Sequence, residues 1–153
     1  MFKNPLTAFT TGREIPYGPM PVSRENIIEF AEEFDPAFFH IDEEAAKHSL
    51  LGGLSASGFH TCSLTMRMIC DSYLLASTSQ GSPIAEDIKW IKPVRPGDIL
   101  SGKSKVVSTR RSASRPNMLI VQFRHETINQ NDEAVLTMLN TGFFEIGEDC
   151  ESA

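Results

Sequence analysis

The chain has 153 residues, 41% of them hydrophobic, which suffices for one domain around one substantial core and falls short of two. A formal charge of −6 and a pI of about 5.2 argue against nucleic acid or an anionic membrane as the main partner, because both need a basic face. No run approaches the length of a membrane span, and the opening MFKNPLTAFTTGREIPYG carries charges and prolines where a secretory leader needs an apolar stretch.

In chain order, a proline-interrupted stretch leads to a strand around Arg13 to Val22, and Ser23 is placed to cap a helix. Ile27, Ile28, Phe30, Ala31 and Phe34 recur at helical spacing, and Pro36 disfavours helical geometry at Asp35, so the helix ends near Glu33 and Asp35 to His40 reads as a loop. Asp42 can cap a second short helix through Lys47, which Gly52-Gly53 breaks. From Ser57 to about Leu75 apolar residues occupy nearly every face, which predicts a buried central helix. Ile84 to Ile91, Ile99 to Thr109, Asn117 to Asn129 and Glu133 to Glu145 then read as strands, with Asn129-Gln130-Asn131-Asp132 as a hairpin turn. A helix-rich half followed by antiparallel strands is the α+β signature. Residues 1–146 are expected to form the domain and 147–153 a loose acidic tail.

Three cysteines, Cys62, Cys70 and Cys150, without CxxC spacing fit reduced thiols and a cytoplasmic protein. Cys62 reads as a small buried hydrophobe. His48, His60, His40 and His125 form no metal-ligand spacing, so no metal is expected. His48 and His125 read as surface or strand positions, and His60 as a helix residue facing a subunit partner.

The informative stretch is EFDPAFFHIDEEAAKHSLLGGLSASGFHTCSL. Asp35 and His40 are five positions apart, and Gly58 lies eighteen beyond His40, at the start of the central helix. With Asp42, Ala45, Ala46, Gly52-Gly53 and the segment Trp90-Ile91-Lys92-Pro93-Val94-Arg95-Pro96-Gly97-Asp98, this series resembles the MaoC-like acyl dehydratases, or (R)-specific enoyl-CoA hydratases, of the hotdog fold. The likeness covers roughly residues 10 to 146. It departs from the family's Asp-x-Asn-Pro-x-His run in having Ala37 and Phe38 at the Asn and Pro positions, and Met66 stands where some members carry a serine.

The resemblance implies an antiparallel sheet wrapped around a long central helix, and a hydro-lyase that reversibly hydrates a 2-enoyl thioester to a 3-hydroxyacyl thioester. Asp35 and His40 would share one water and perform both proton transfers. The Gly58 N–H, favoured by the helix dipole, would hold the carbonyl oxygen as enolate charge develops. Candidate substrate-binding residues are Ser57, Phe39, Met66 and the cations Arg95, Arg110, Arg111 and Arg115. These cations would meet the phosphates of coenzyme A or an acidic acyl carrier protein, or else stand on a solvated strand face. No cofactor is implied, since coenzyme A enters as part of the substrate, and a homodimer or higher homo-oligomer is expected from the open sheet edge. Two other readings stay open: a hotdog thioesterase, whose carboxylate would activate water against the thioester carbon, and a non-catalytic acyl-thioester-binding protein. The Asp-x4-His pair favours hydration.

Overall fold

The structure, a computed structural model, describes residues 1–150. Its strands form one antiparallel sheet in the order β1-β3-β4-β5-β2, with β1 at Glu14–Pro21, β2 at Ser79–Trp90, β3 at Ile99–Arg111, β4 at Met118–Ile128 and β5 at Ala134–Glu145. β4 shows why a sheet forms here. Leu119, Val121, Phe123, His125 and Thr127 are buried on alternate positions, a period of two that gives the strand one inward face. Across that face lies helix α5, Gly58–Ile69, which buries Thr61, Thr65, Met68 and Ile69 at helical spacing. This is the hotdog arrangement that the resemblance implies.

The central helical run, 58–74, has the extent that its apolar pattern suggests but is less enclosed. The α-helix ends at Ile69 and continues as a π-helical turn, Cys70–Leu74. Phe59 and Met66 on its outer face are 65% and 42% exposed.

Beneath the helix the sheet carries polar chains as well as apolar packing. Thr65 and Thr127 share a hydroxyl contact of 2.8 Å, Thr127 meets the Tyr17 hydroxyl at 2.9 Å, and Tyr17 donates to the Glu126 carbonyl. Burial pushes the Tyr17 phenol well above its ordinary pKa, so it stays a donor. Gly102 is required here, because a Cβ would stand 2.2 Å from the Glu126 oxygen and 2.5 Å from the Tyr17 ring.

Before the sheet closes, the chain lays down four short or medium helices. Helix α1, Pro5–Ala8, is capped by the Asn4 side chain and was not legible from the proline-interrupted sequence. It delivers Phe9 into a cluster with Phe144 (4.4 Å between centroids), Phe123 (5.5 Å) and Tyr73 (6.0 Å). Helix α2, Arg24–Phe34, is capped by Ser23 as expected and stops at Asp35 before Pro36. The predicted loop from Asp35 to His40 is in part helical: Phe38–Ile41 makes one turn, α3, followed by α4, Glu43–Ala46, capped by Asp42. Strand β2 starts earlier than its apolar run, at Ser79, and takes in Gly81 and Pro83. It is an edge strand, where a proline can sit without breaking a ladder on both sides.

The described part of the acidic tail is a 3-10 turn, Glu148–Cys150, with Cys150 partly packed on the core; the rest of the tail lies outside the described residues. No helix among the described residues is long and apolar enough to cross a membrane.

Candidate active site

The end of α2, the turn α3 and the N-terminus of α5 converge on one cleft. Asp35 is the residue at which α2 stops, and its side chain is 36% exposed. His40, two residues into α3, is buried, and its Nδ1 lies 2.6 Å from the Ser55 carbonyl oxygen. A carbonyl only accepts, so Nδ1 carries the proton and, in the neutral ring, Nε2 is an acceptor. That Nε2 lies 3.5 Å from Asp35 Oδ2, longer than a full hydrogen bond, so both atoms keep lone pairs for a common third partner.

Ser57 precedes α5 in the N-cap position but does not cap the helix; its hydroxyl instead donates to Asp35 Oδ2 at 2.7 Å. The N–H groups of the first helical turn have no intrahelical acceptor, and here no side-chain cap covers them either. Gly58 is the first residue of that turn and lines the cleft. Its lack of a side chain has a reason that spacing alone does not reveal: a Cβ would stand 2.6 Å from the Trp90 indole.

The segment 51–57 that carries Ser55 and Ser57 is tied down by Arg95. Its guanidinium donates to the carbonyls of Gly53 (2.8 Å), Leu54 and Leu51. Arg95 therefore differs from its expected role: its charge is spent on backbone carbonyls that hold the loop, not held open toward a ligand.

The cleft has a volume of about 460 Å³, and besides the polar residues it is lined by Phe39, Leu51, Phe59, Trp90, Ile91 and Val94. Lys92 stands at its edge in an ion pair with Glu133, whose carboxyl it holds below the usual range. An apolar wall around a few convergent polar groups suits a small organic substrate.

Of the predicted residues, the structure brings Asp35, His40, Ser57, Gly58 and Phe39 together. Met66 lies on the exposed face of α5, outside the cleft lining. Arg110, Arg111 and Arg115 sit on the β3–β4 hairpin. Arg110 pairs with Ile120, Ile120 with Phe143, and Phe143 with Gly81, which places the hairpin at the opposite end of the sheet from Trp90 within one chain. His60 differs from the expected partner-facing residue. It is buried in its own chain, stacked on Phe30 at 4.5 Å, and burial lowers its pKa. His125 is on a strand but buried, against the Ser104 hydroxyl, whereas His48 is exposed. Cys62 is half-buried and burial raises its thiol pKa, the reverse of nucleophile activation. Among the described residues no three His, Cys, Asp or Glu side chains gather as a metal site. Trp90 and Ser55 line the cleft and are not singled out by spacing. Trp90 belongs to the quoted Trp-Ile-Lys-Pro run, and Ser55 acts through a backbone oxygen, which leaves no trace in residue type.

The chain matches the MaoC like domain over residues 8–127. It is 28% identical over 130 residues to the uncharacterized protein YdeM of Bacillus subtilis (strain 168), covering 85% of this chain and 91% of that one. Among solved structures it is similar to a MaoC-like dehydratase from Rhodospirillum rubrum, with 38% identity, a TM-score of 0.85 and coverage of 93% of this chain and 97% of that one. The fold is also that of the R-hydratase PhaJ1 from Pseudomonas aeruginosa, at 17% identity and a TM-score of 0.68, covering 91% and 83% of the two chains.

Proposed function

The chain belongs to the MaoC-like domain family, and on that footing we propose that it is a hydro-lyase acting on a 2-enoyl or 3-hydroxyacyl thioester. The observation that carries the reading is the Asp35–His40 pair in an apolar cleft beside an uncapped helix N-terminus. A water placed between them gives one O–H to the Asp35 carboxylate and the other to His40 Nε2, and turns its oxygen lone pair toward C3 of the enoyl group. As the O–C3 bond forms, one of the two bases takes a proton and the C2=C3 π electrons move onto the thioester oxygen. The Gly58 N–H, at the positive end of α5, holds that enolate oxygen. The enolate then collapses, the same proton passes to C2, and H and OH have been added from one water on one face. Dehydration runs the same path backward.

The substrate is read as a thioester of coenzyme A or an acyl carrier protein, and the working unit as a homodimer. Support for the dimer comes from β2, an edge strand exposed along almost its whole length, with Ile84 and Trp90 46% and 48% exposed, Ile91 just beyond it 54% exposed, and Phe59 of α5 against the Trp90 ring. Two copies of β2 paired antiparallel about a two-fold would turn the Gly81 end of one toward the Trp90 end of the other. The hairpin arginines of the second copy would then stand on the same side as the cleft, where phosphates need cations.

The test is loss of the conjugated enoyl absorbance of crotonyl-CoA and of a longer trans-2-enoyl-CoA, run beside a thiol reagent. Absorbance loss without free thiol is the expected result. Thiol release would transfer the chain to the thioesterases, and binding without reaction would make it an acyl-thioester-binding protein.

A further inference from the structure

Trp90 ends β2, paired with Leu136 of β5, and its ring crosses from the sheet to the start of α5. The indole N–H donates to the Gly58 carbonyl at 2.8 Å. The same ring fills the place of a Gly58 side chain, with Cε2 and Nε1 both 2.6 Å from where a Cβ would be. Phe59, the next residue, meets it edge-on at 5.8 Å. On the other side of the Gly58 N–H, Ser57 is bound to Asp35. The Gly58 N–H proposed to hold the enolate oxygen is therefore flanked by two contacts far apart in sequence: the Ser57 side chain before it bonds Asp35, and Trp90 holds the carbonyl of the next peptide group, tying Gly58 to the sheet.

We propose that Trp90 is a positioning residue for the Gly58 donor, fixing the distance between the thioester oxygen and the Asp35–His40 pair; the inference rests on the hydratase reading above. The helix holds that peptide through the Thr61 N–H, which donates to the Ser57 carbonyl at 3.0 Å, but this bond fixes it to the helix and not to the sheet. The first turn of α5 has no side-chain cap, and Gly58 is the residue with the least conformational restriction of its own. Displacement of a reacting group by about 1 Å can cost roughly 10²-fold in rate. A donor that must match a developing oxyanion needs an external stop, and the indole supplies one by contact and by hydrogen bond together.

The chain contains a single tryptophan, so biosynthetic replacement of tryptophan by benzothienylalanine, in which sulfur replaces the ring N–H, alters this position alone. Trp90→Phe is the genetic counterpart. Both proteins are expected to lose about tenfold in kcat, less than the roughly 10²–10³ that deleting an oxyanion donor costs, with KM within about threefold of the unmodified protein. The second readout is polarisation of a bound chromophore. 2,4-Hexadienoyl-CoA bound to His40→Ala should show a red-shifted absorbance, and the shift should shrink when Trp90 is replaced in that background. A merely structural role would change the folded fraction and leave the shift of the bound ligand intact. An undiminished shift and kcat per folded molecule in both Trp90 proteins would overturn the assignment while leaving the hydratase reading standing. Failure of the unmodified protein to hydrate any enoyl thioester would overturn both.

Discussion

At its C-terminal end α5 runs through a π-helical turn into closed packing, where Tyr73 sits among Phe9, Phe123 and Phe2 and its hydroxyl donates to Ser104 at 3.0 Å. At its N-terminal end the same helix begins beside a cleft, with its would-be capping serine given to Asp35 and its first donors uncovered. One end buries its tyrosine among aromatic rings and satisfies the hydroxyl internally; the other leaves lone pairs on Asp35 and His40 and donors on the helix. The difference separates what holds the fold from what is proposed to act. Buried aromatics at one end stabilise the sheet-on-helix core, and the polar constellation at the other can stay unsatisfied because Arg95, Ser55 and Trp90 hold its backbone in place.

Substitutions at the two ends should therefore separate activity from stability. Asp35→Asn and His40→Ala are each expected to lower kcat on crotonyl-CoA by about 10³-fold, within the range for a positioned acid or base. The urea midpoint of Asp35→Asn should barely move, because that side chain is 36% exposed. Phe123→Ala at the opposite end should cost about 3–5 kcal/mol of stability by urea titration, with kcat per folded molecule unchanged. A strong activity loss in folded Phe123→Ala would erase the distinction between the ends.

His125, stacked on Phe123, makes the stability of the closed end depend on pH. Burial pushes its pKa from 6.5 down to about 4, so the folded chain resists a proton that the unfolded chain accepts. Between these values the unfolded state binds more protons, and stability rises with pH. The contribution is fully present above about pH 6.5 and is lost as pH falls toward 4, a total of about 3 kcal/mol at 1.36 kcal/mol per unit. Urea midpoints measured from pH 4 to 7 should fall less steeply in His125→Asn than in the unmodified protein; parallel slopes would remove His125 as the cause. The smallest effect is expected from Ser57→Ala, about tenfold in kcat with less than about 1 kcal/mol of stability lost, since one partly exposed hydrogen bond to Asp35 disappears.

Local chemistry was legible in the sequence and distant geometry was not. Ser23 and Asp42 cap the helices their residue types announce, Pro36 stops α2, and the alternation in β4 reads directly as a strand. Asp35, His40 and Gly58 could be grouped because their spacing carries a family pattern, and they meet in one cleft. The fate of Arg95 was hidden, because three backbone carbonyls from residues more than forty positions away decide it. His60 was misread for the same reason, since its partner Phe30 lies on another helix. The turn at Phe38–Ile41 has no side-chain cap, so no residue type announces it. The distance of the hairpin arginines from the cleft follows from strand register, which alternation alone does not reveal.

In the proposed hydration one water, shared by Asp35 and His40, supplies both the hydroxyl and the proton. Hydration of crotonyl-CoA in D2O, with the product resolved by NMR, tests it most directly. One deuterium at C2, syn to the new C3 hydroxyl, in a single diastereomer is the expected product. An anti product or a mixture of diastereomers would contradict the shared water.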